Sequence, residues 1–181
     1  MRRSHPAIPF GDGEIIIALP HFKEFIILFI KMFQIKIKKF TELTTNELYE
    51  ILQLRSEVFV VEQDCVYQDI DGKDKKALHV LGTVEGNIVA YTRVFKPGDY
   101  LEKAAIGRVV VASDFRKRDF GQAIMQASIA AVENHFNTTA IGLSAQTYLL
   151  NFYNDLGFSA LGETYLEDGI PHIYMERPPL S

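Results

Sequence analysis

The chain has 181 residues, 48% of them hydrophobic, and a formal net charge of -4. This is the composition of one globular domain with room for a sizeable core, and it offers no general electrostatic pull toward nucleic acid or an anionic membrane. A lone cysteine, Cys65, excludes an internal disulfide and any paired-cysteine metal site, and fits a cytoplasmic protein in which it is a passive side chain.

In chain order, residues 14–30 hold two apolar patches interrupted by Pro20, His21, Lys23 and Glu24. A spanning helix needs about 20 mostly apolar residues, and a signal peptide needs an unbroken apolar region with a small-residue cleavage site. Neither pattern is met. The domain is therefore expected to begin near Met32, with residues 1–31 as an extension outside its core; a membrane-surface contact is the alternative.

Residues 34–40 alternate as a half-buried strand. Thr44 and Glu47 have capping-box spacing. The helix they open sets Leu48, Ile51, Leu52, Arg55, Val58 and Phe59 along one side, and the polar residues 60–76 read as a loop or short helix. Residues 78–84 and 88–95 flank Glu85-Gly86-Asn87, a hairpin signal. Strand 104–111, helix 119–136, strand 140–144 and helix 148–156 follow, the last ended by Gly157. Strands 158–166 and 172–177 surround Asp168-Gly169, a second hairpin signal. The order β-α-β-β-β-α-β-α-β-β predicts an α+β or mixed α/β domain with a mixed sheet, not a doubly wound one.

The most telling stretch is residues 105–130. An apolar, β-branched run passes through Arg116-Lys117-Arg118-Asp119-Phe120-Gly121 into an amphipathic helix. Free backbone N–H groups and the helix dipole make such a junction a phosphate cradle. The plainer alternative is a solvated basic turn. Asp119 is costly beside a phosphate unless it serves the helix N-terminus as a cap or first-turn acid. No His, Cys, Asp or Glu spacing matches a metal site.

From residue 32 onward the chain resembles the GNAT acetyltransferase superfamily. Arg116 to Gly121 resembles its pyrophosphate loop, with Asp119 where glycine is usual; a register two residues on, Arg118 to Ala123, satisfies the pattern fully. Asn151-Phe152-Tyr153-Asn154-Asp155-Leu156-Gly157-Phe158 resembles its Phe/Leu-Tyr-x-x-x-Gly-Phe signature. The segments Leu54 to Gln63, Gln68 to Asp71 and Glu167 to His172 are similar to the ElaA-like branch.

The resemblance implies a largely antiparallel sheet of six to seven strands with helices on both faces and the fourth and fifth strands splayed. It implies acetyl-CoA as cosubstrate, and transfer to a primary amine by direct attack. The amides of Lys117, Arg118, Asp119, Phe120, Gly121 and Gln122 would meet the pyrophosphate. Arg116, Lys117 and Arg118 would supply charge. A backbone N–H among Val109, Val110 and Val111 would face the acyl oxygen, Gln146 would contact the pantetheine, Tyr153 would lie near the CoA sulfur, and Asn151 is a further candidate for binding the cosubstrate. Tyr153 is the candidate acid toward sulfur. His172 is the favoured base among His79, His172, Glu62 and Asp69. Arg55, Glu62 and His79 are candidate acceptor contacts, although Arg55, like Arg93 and Arg108, could equally form a structural ion pair. The acceptor would be a small-molecule or peptide amine, and a homodimer is compatible with the sequence. The rival readings are a non-catalytic acyl-CoA-binding module and an acyl-homoserine-lactone synthase-like enzyme.

Overall fold

The computed structural model describes residues 33–179. The expectations for residues 1–31 lie outside these described residues.

The alternating segment forms β1 (Gln34–Lys39). Thr44 then caps α1 (Thr45–Arg55). Its Oγ1 accepts from the Glu47 N–H at 3.2 Å, and the Glu47 carboxylate accepts from the Thr44 N–H at 2.9 Å. The helix continues as a wider π-helical stretch, Ser56–Glu62. The segment expected as loop or short helix thus begins helical and turns irregular past Glu62, with a 3-10 turn at Asp74–Lys76.

β2 (Leu78–Val84) and β3 (Asn87–Phe95) are joined through Glu85 and Gly86, at φ 51° and 88°. β4 (Ala104–Val111), α2 (Phe120–Phe136), β5 (Ile141–Gln146) and α3 (Leu150–Asn154) follow. β6 (Ser159–Glu167) and β7 (Ile170–Arg177) are joined through Asp168 and Gly169, at φ 51° and 82°. Two successive positive φ values give the turn whose twist suits a two-residue hairpin. α3 is shorter than the predicted 148–156. A 3-10 turn, Thr147–Leu149, takes its first residues, and the Gly157 N–H closes the far end on the Asn154 carbonyl at 2.9 Å.

The strands form one mixed sheet in the order β1-β2-β3-β4-β5-β7-β6. Neighbours are antiparallel except β4 and β5, which are parallel. Strand alternation sends side chains to two separate cores. Leu81, Tyr91 and Val110 meet Ile51, Leu54 and Val58 of the α1 segment. Val80, Ala90, Val94 and Ile106 meet Ile124, Met125 and Val132 of α2 on the other face. Each fully buried aliphatic contributes roughly 1.5–3 kcal/mol, so both helices are held independently of any opening between β4 and β5. Among the described residues no helix is long and apolar enough to cross a membrane.

Candidate functional site

β4 and β5 pair only at Ala104↔Ile141 and Ala105↔Gly142. Beyond that the strands part, and the N–H and C=O groups on the free edge of β4 open into the gap. A bulge marks the divergence. Tyr91 pairs with Val110 and Arg93 with Gly107, so Arg108 and Val109 share the place opposite Thr92, and Arg108 takes φ 52°. A bulge bends and twists the strand that carries it. The space opened is a cleft of about 580 Å³, within the range of ligand sites. Sequence reasoning missed this bulge. Its only signal was Gly107-Arg108 inside an apolar run.

The pyrophosphate-like loop lies at the cleft. Lys117 and Asp119 adopt φ 60° and 59°. Asp119 therefore has the backbone conformation that glycine takes freely and aspartate tolerates better than most. This fits the register Arg116 to Gly121, with Asp119 at the glycine position. Its side chain makes no capping hydrogen bond, so the expected cap is not formed. The N–H groups of Phe120, Gly121 and Gln122 precede the first intrahelical bond, which runs from Ala123 to the Asp119 carbonyl at 2.9 Å. They have no acceptor among the described residues. A Cβ on Gly121 would meet only Phe152 and Val111, at 3.8–3.9 Å. The fold alone does not require glycine there.

Val109, Val110, Val111, Lys117 and Gln122 line the cleft. Arg118 does not: its guanidinium lies over the Phe115 ring at 5.2 Å. Arg116 lines the cleft but is engaged. Its Nη1 and Nη2 donate to the two Glu62 carboxylate oxygens at 2.7 Å each, and its Nε donates to the Val111 carbonyl at 3.1 Å. The Glu62 carboxyl is held below its ordinary range by those Arg116 hydrogen bonds, which makes it a poor base while the pair persists.

Tyr153 is 4% exposed, with its ring edge-on to Phe152 and Phe158. Burial pushes its phenol up, so it stays protonated. Its hydroxyl has no hydrogen-bond partner among the described residues and is not sealed from the cleft that the residue lines. Gln146 also lines the cleft and donates to Gln63 Oε1 at 3.3 Å. Asn151 is exposed and lies outside it.

His172 pairs with Gln146 across the β5–β7 ladder, and its Nδ1 lies 2.8 Å from the Ile170 carbonyl. A carbonyl only accepts, so in the neutral ring the hydrogen sits on Nδ1 and the Nε2 lone pair is free. Two further residues line the cleft: Ser144, which was not singled out from the sequence, and Glu167, which opens the Glu167 to His172 segment already noted there. Ser144 Oγ donates to Glu167 at 2.8 Å and so must accept from the Tyr165 hydroxyl at 2.6 Å. Their signal was the Asp168-Gly169 turn, which brings the end of β6 across β7 toward β5.

Arg55 and His79, expected to touch the acceptor, do not line the cleft. Both are 0% exposed. Arg55 donates to Asp69 at 2.9 Å and Asp74 at 2.8 Å, because a guanidinium buried under α1 must be paired. His79 is bonded through Nδ1 to the Tyr91 hydroxyl at 2.9 Å and through Nε2 to the Asp74 carbonyl at 3.0 Å. Asp69, another base candidate, is shared between Arg55 and Arg108. Among the described residues no group of three or more His, Cys, Asp or Glu could hold a metal.

A mixed sheet that splits at its parallel pair beside a free helix end is an acyl-CoA-type transferase architecture. The family profile "Acetyltransferase (GNAT) domain" matches residues 41–178, and the chain belongs to that family. It is 45% identical over 139 residues to Protein ElaA of Escherichia coli, covering 76% of this chain and 91% of that protein. The E. coli ElaA crystal structure superposes with a TM-score of 0.76, over 81% of this chain and all (100%) of that one. An acyl-CoA N-acyltransferase from Pseudomonas aeruginosa is 41% identical with a TM-score of 0.77, covering 81% of this chain and 99% of that chain.

Proposed function

We propose that this protein transfers the acetyl group of acetyl-CoA to a primary amine, by direct attack of the amine on the thioester. The observation that carries the reading is the buried, protonated Tyr153 hydroxyl, open to the same cleft as the free N–H groups of Phe120, Gly121 and Gln122. Acetyl-CoA supplies an activated acyl carbon bound to sulfur. The helix-end amides and the α2 dipole suit its pyrophosphate. The free β4 edge at residues 109–111 suits the acyl oxygen, where an oriented donor contributes about 3 kcal/mol.

A lysine-like amine with a pKa near 10.4 costs roughly 4–5 kcal/mol to neutralise at pH 7. The Nε2 of His172 is the free acceptor for that proton. As the nitrogen–carbon bond forms and the carbon–sulfur bond breaks, the departing thiolate takes the proton of Tyr153; the second proton lost by the nitrogen passes through solvent to the phenolate, and the His172 imidazolium releases its proton to solvent.

The test is thiol release over a panel of amines, with wild type and Tyr153→Phe. The variant should lose about 100-fold in kcat with little change in KM, the range for removal of a general acid. Equal turnover would remove Tyr153 as the acid. A raised melting temperature with acetyl-CoA but no thiol release from any amine would favour the non-catalytic binding module.

A further inference from the structure

Arg108 is the residue whose role the mechanism above leaves open. Three arginines lie between the α1 segment and the acceptor end of the cleft. Arg55 and Arg93 are 0% and 1% exposed and spend their guanidinium groups on Asp69, Asp71 and Asp74. Arg108 differs. It stands on the β4 bulge, lines the cleft, and uses only one edge of its guanidinium: Nε donates to Asp69 Oδ1 at 2.6 Å and Nη2 to the Asp69 carbonyl at 3.4 Å. The nearest Asp71 oxygen is 3.9 Å from Nη2, beyond hydrogen-bond reach. Nη1 has no partner among the described residues, and it is not among the sealed polar atoms. The plane is set by two rings that also line the cleft, Phe59 and Tyr67, with centroids 5.9 and 5.4 Å from the guanidinium carbon.

We infer that Arg108 binds a carboxylate of the acceptor, so that the amine substrate is an amino acid or the carboxyl end of a peptide. This rests on the acyl-transfer reading and names its substrate class. The end-on face of the guanidinium, Nη1 with the second Nη2 hydrogen, has the fork geometry that a carboxylate meets with two parallel hydrogen bonds. The three arginines are matched in number by Asp69, Asp71 and Asp74, so what Arg108 offers is an open face and not spare charge: Asp69 is shared with Arg55, and the Asp71 oxygen stays 3.9 Å from Nη2. Glu167 and His172, with its free Nε2, line the same cleft. Both are acceptors, which suits the amine of the same substrate.

The experiment uses the full chain saturated with CoA and measures binding by calorimetry for matched ligands: alanine, alaninamide and ethylamine; lysine and cadaverine; and lysine-ending peptides with free or amidated C-termini. The carboxylate member of each set is expected to bind at least tenfold more tightly. The free amino acids and the peptides separate the two sources of the carboxylate. Arg108→Gln should abolish the discrimination, and Arg108→Lys should restore part of it. A structural role alone would lower the melting temperature of these variants but leave the ratio between matched ligands unchanged, which would overturn the assignment. Equal or tighter binding of the amides and decarboxylated amines by wild type would overturn it without any variant. Thiol release, read separately with acetyl-CoA, tests the acyl-transfer reading. A carboxylate preference without thiol release would sink that reading and leave the Arg108 site standing.

Discussion

Arginine–carboxylate pairs stand both behind the cleft and at its mouth. Behind it, Arg55 from α1 and Arg93 from β3 converge on Asp69, Asp71 and Asp74, with N···O separations of 2.5–3.1 Å and little or no exposure of the arginines. At the mouth, Arg116 grips Glu62 through two 2.7 Å bonds, with 40% and 43% of their side chains exposed. The mouth pair is as short and more symmetric, yet it holds less. Water solvates each partner nearly as well as they solvate each other, so an exposed pair contributes about 0–1 kcal/mol. The buried groups have no such alternative, and losing one strands the rest. Burial, not contact length, separates architecture from a contact that can exchange partners.

The largest effect that would test this contrast is Asp74→Ala. It removes the acceptor of both Arg55 Nη1, at 2.8 Å, and Arg93 Nη1, at 3.1 Å. A loss of about 3–5 kcal/mol in urea unfolding is expected, or on the order of 10 °C in melting temperature. A loss below about 1 kcal/mol would put the buried arginine–aspartate network on the same footing as the mouth pair.

The next effect is a two-stage acid response. Burial holds the His79 imidazole below its ordinary value. The unfolded chain therefore takes up this proton first, and the contribution is complete above about pH 6.5 and lost as pH falls below it. Burial alone would raise the Asp71 carboxyl, but hydrogen bonds from Arg93 and the Lys73 N–H hold it far below the usual carboxylate range. Its contribution is complete above about pH 3.9 and lost below that. Urea midpoints should first decline from near pH 6.5, by at most roughly 1.4 kcal/mol per pH unit for one proton, and again below about pH 4. His79→Gln should remove the first decline and keep the second. If the first stage survives, His79 is not its source.

The order of elements was legible because each local signal agreed with the fold. The Thr44–Glu47 box opens its helix, and Glu85-Gly86 and Asp168-Gly169 supply the left-handed residues their hairpins need. Loop and helix around Gly121, and the ring of Tyr153, line the cleft. What was not legible depends on which neighbour a charged side chain finds. Arg55 on an apolar helix side reads equally as substrate contact or ion pair, and the choice is made by Asp69 and Asp74, 14 and 19 residues away in a loop without periodic pattern. His79 followed the same course. The β4 bulge was not legible because Gly107-Arg108 within an apolar run does not show a register shift that is defined only against β3.

The smallest effect on stability is the most informative about the mouth. Glu62→Gln keeps the shape of the side chain and removes the charge that holds Arg116 across the cleft. Folding stability should change by less than about 1 kcal/mol. Affinity for acetyl-CoA should move the other way and rise about threefold to tenfold, because the guanidinium is then free for phosphate oxygens instead of being shared with a carboxylate. The gain should shrink as salt rises, since both partners are exposed enough to be screened. Weaker binding in the variant would mean that Glu62 aims Arg116 at the ligand, making the mouth pair a rigid part of the site like the network behind it. Calorimetry on wild type and variant at two salt concentrations distinguishes these outcomes. Only the first is consistent with an ion pair whose exposed partners are free to exchange.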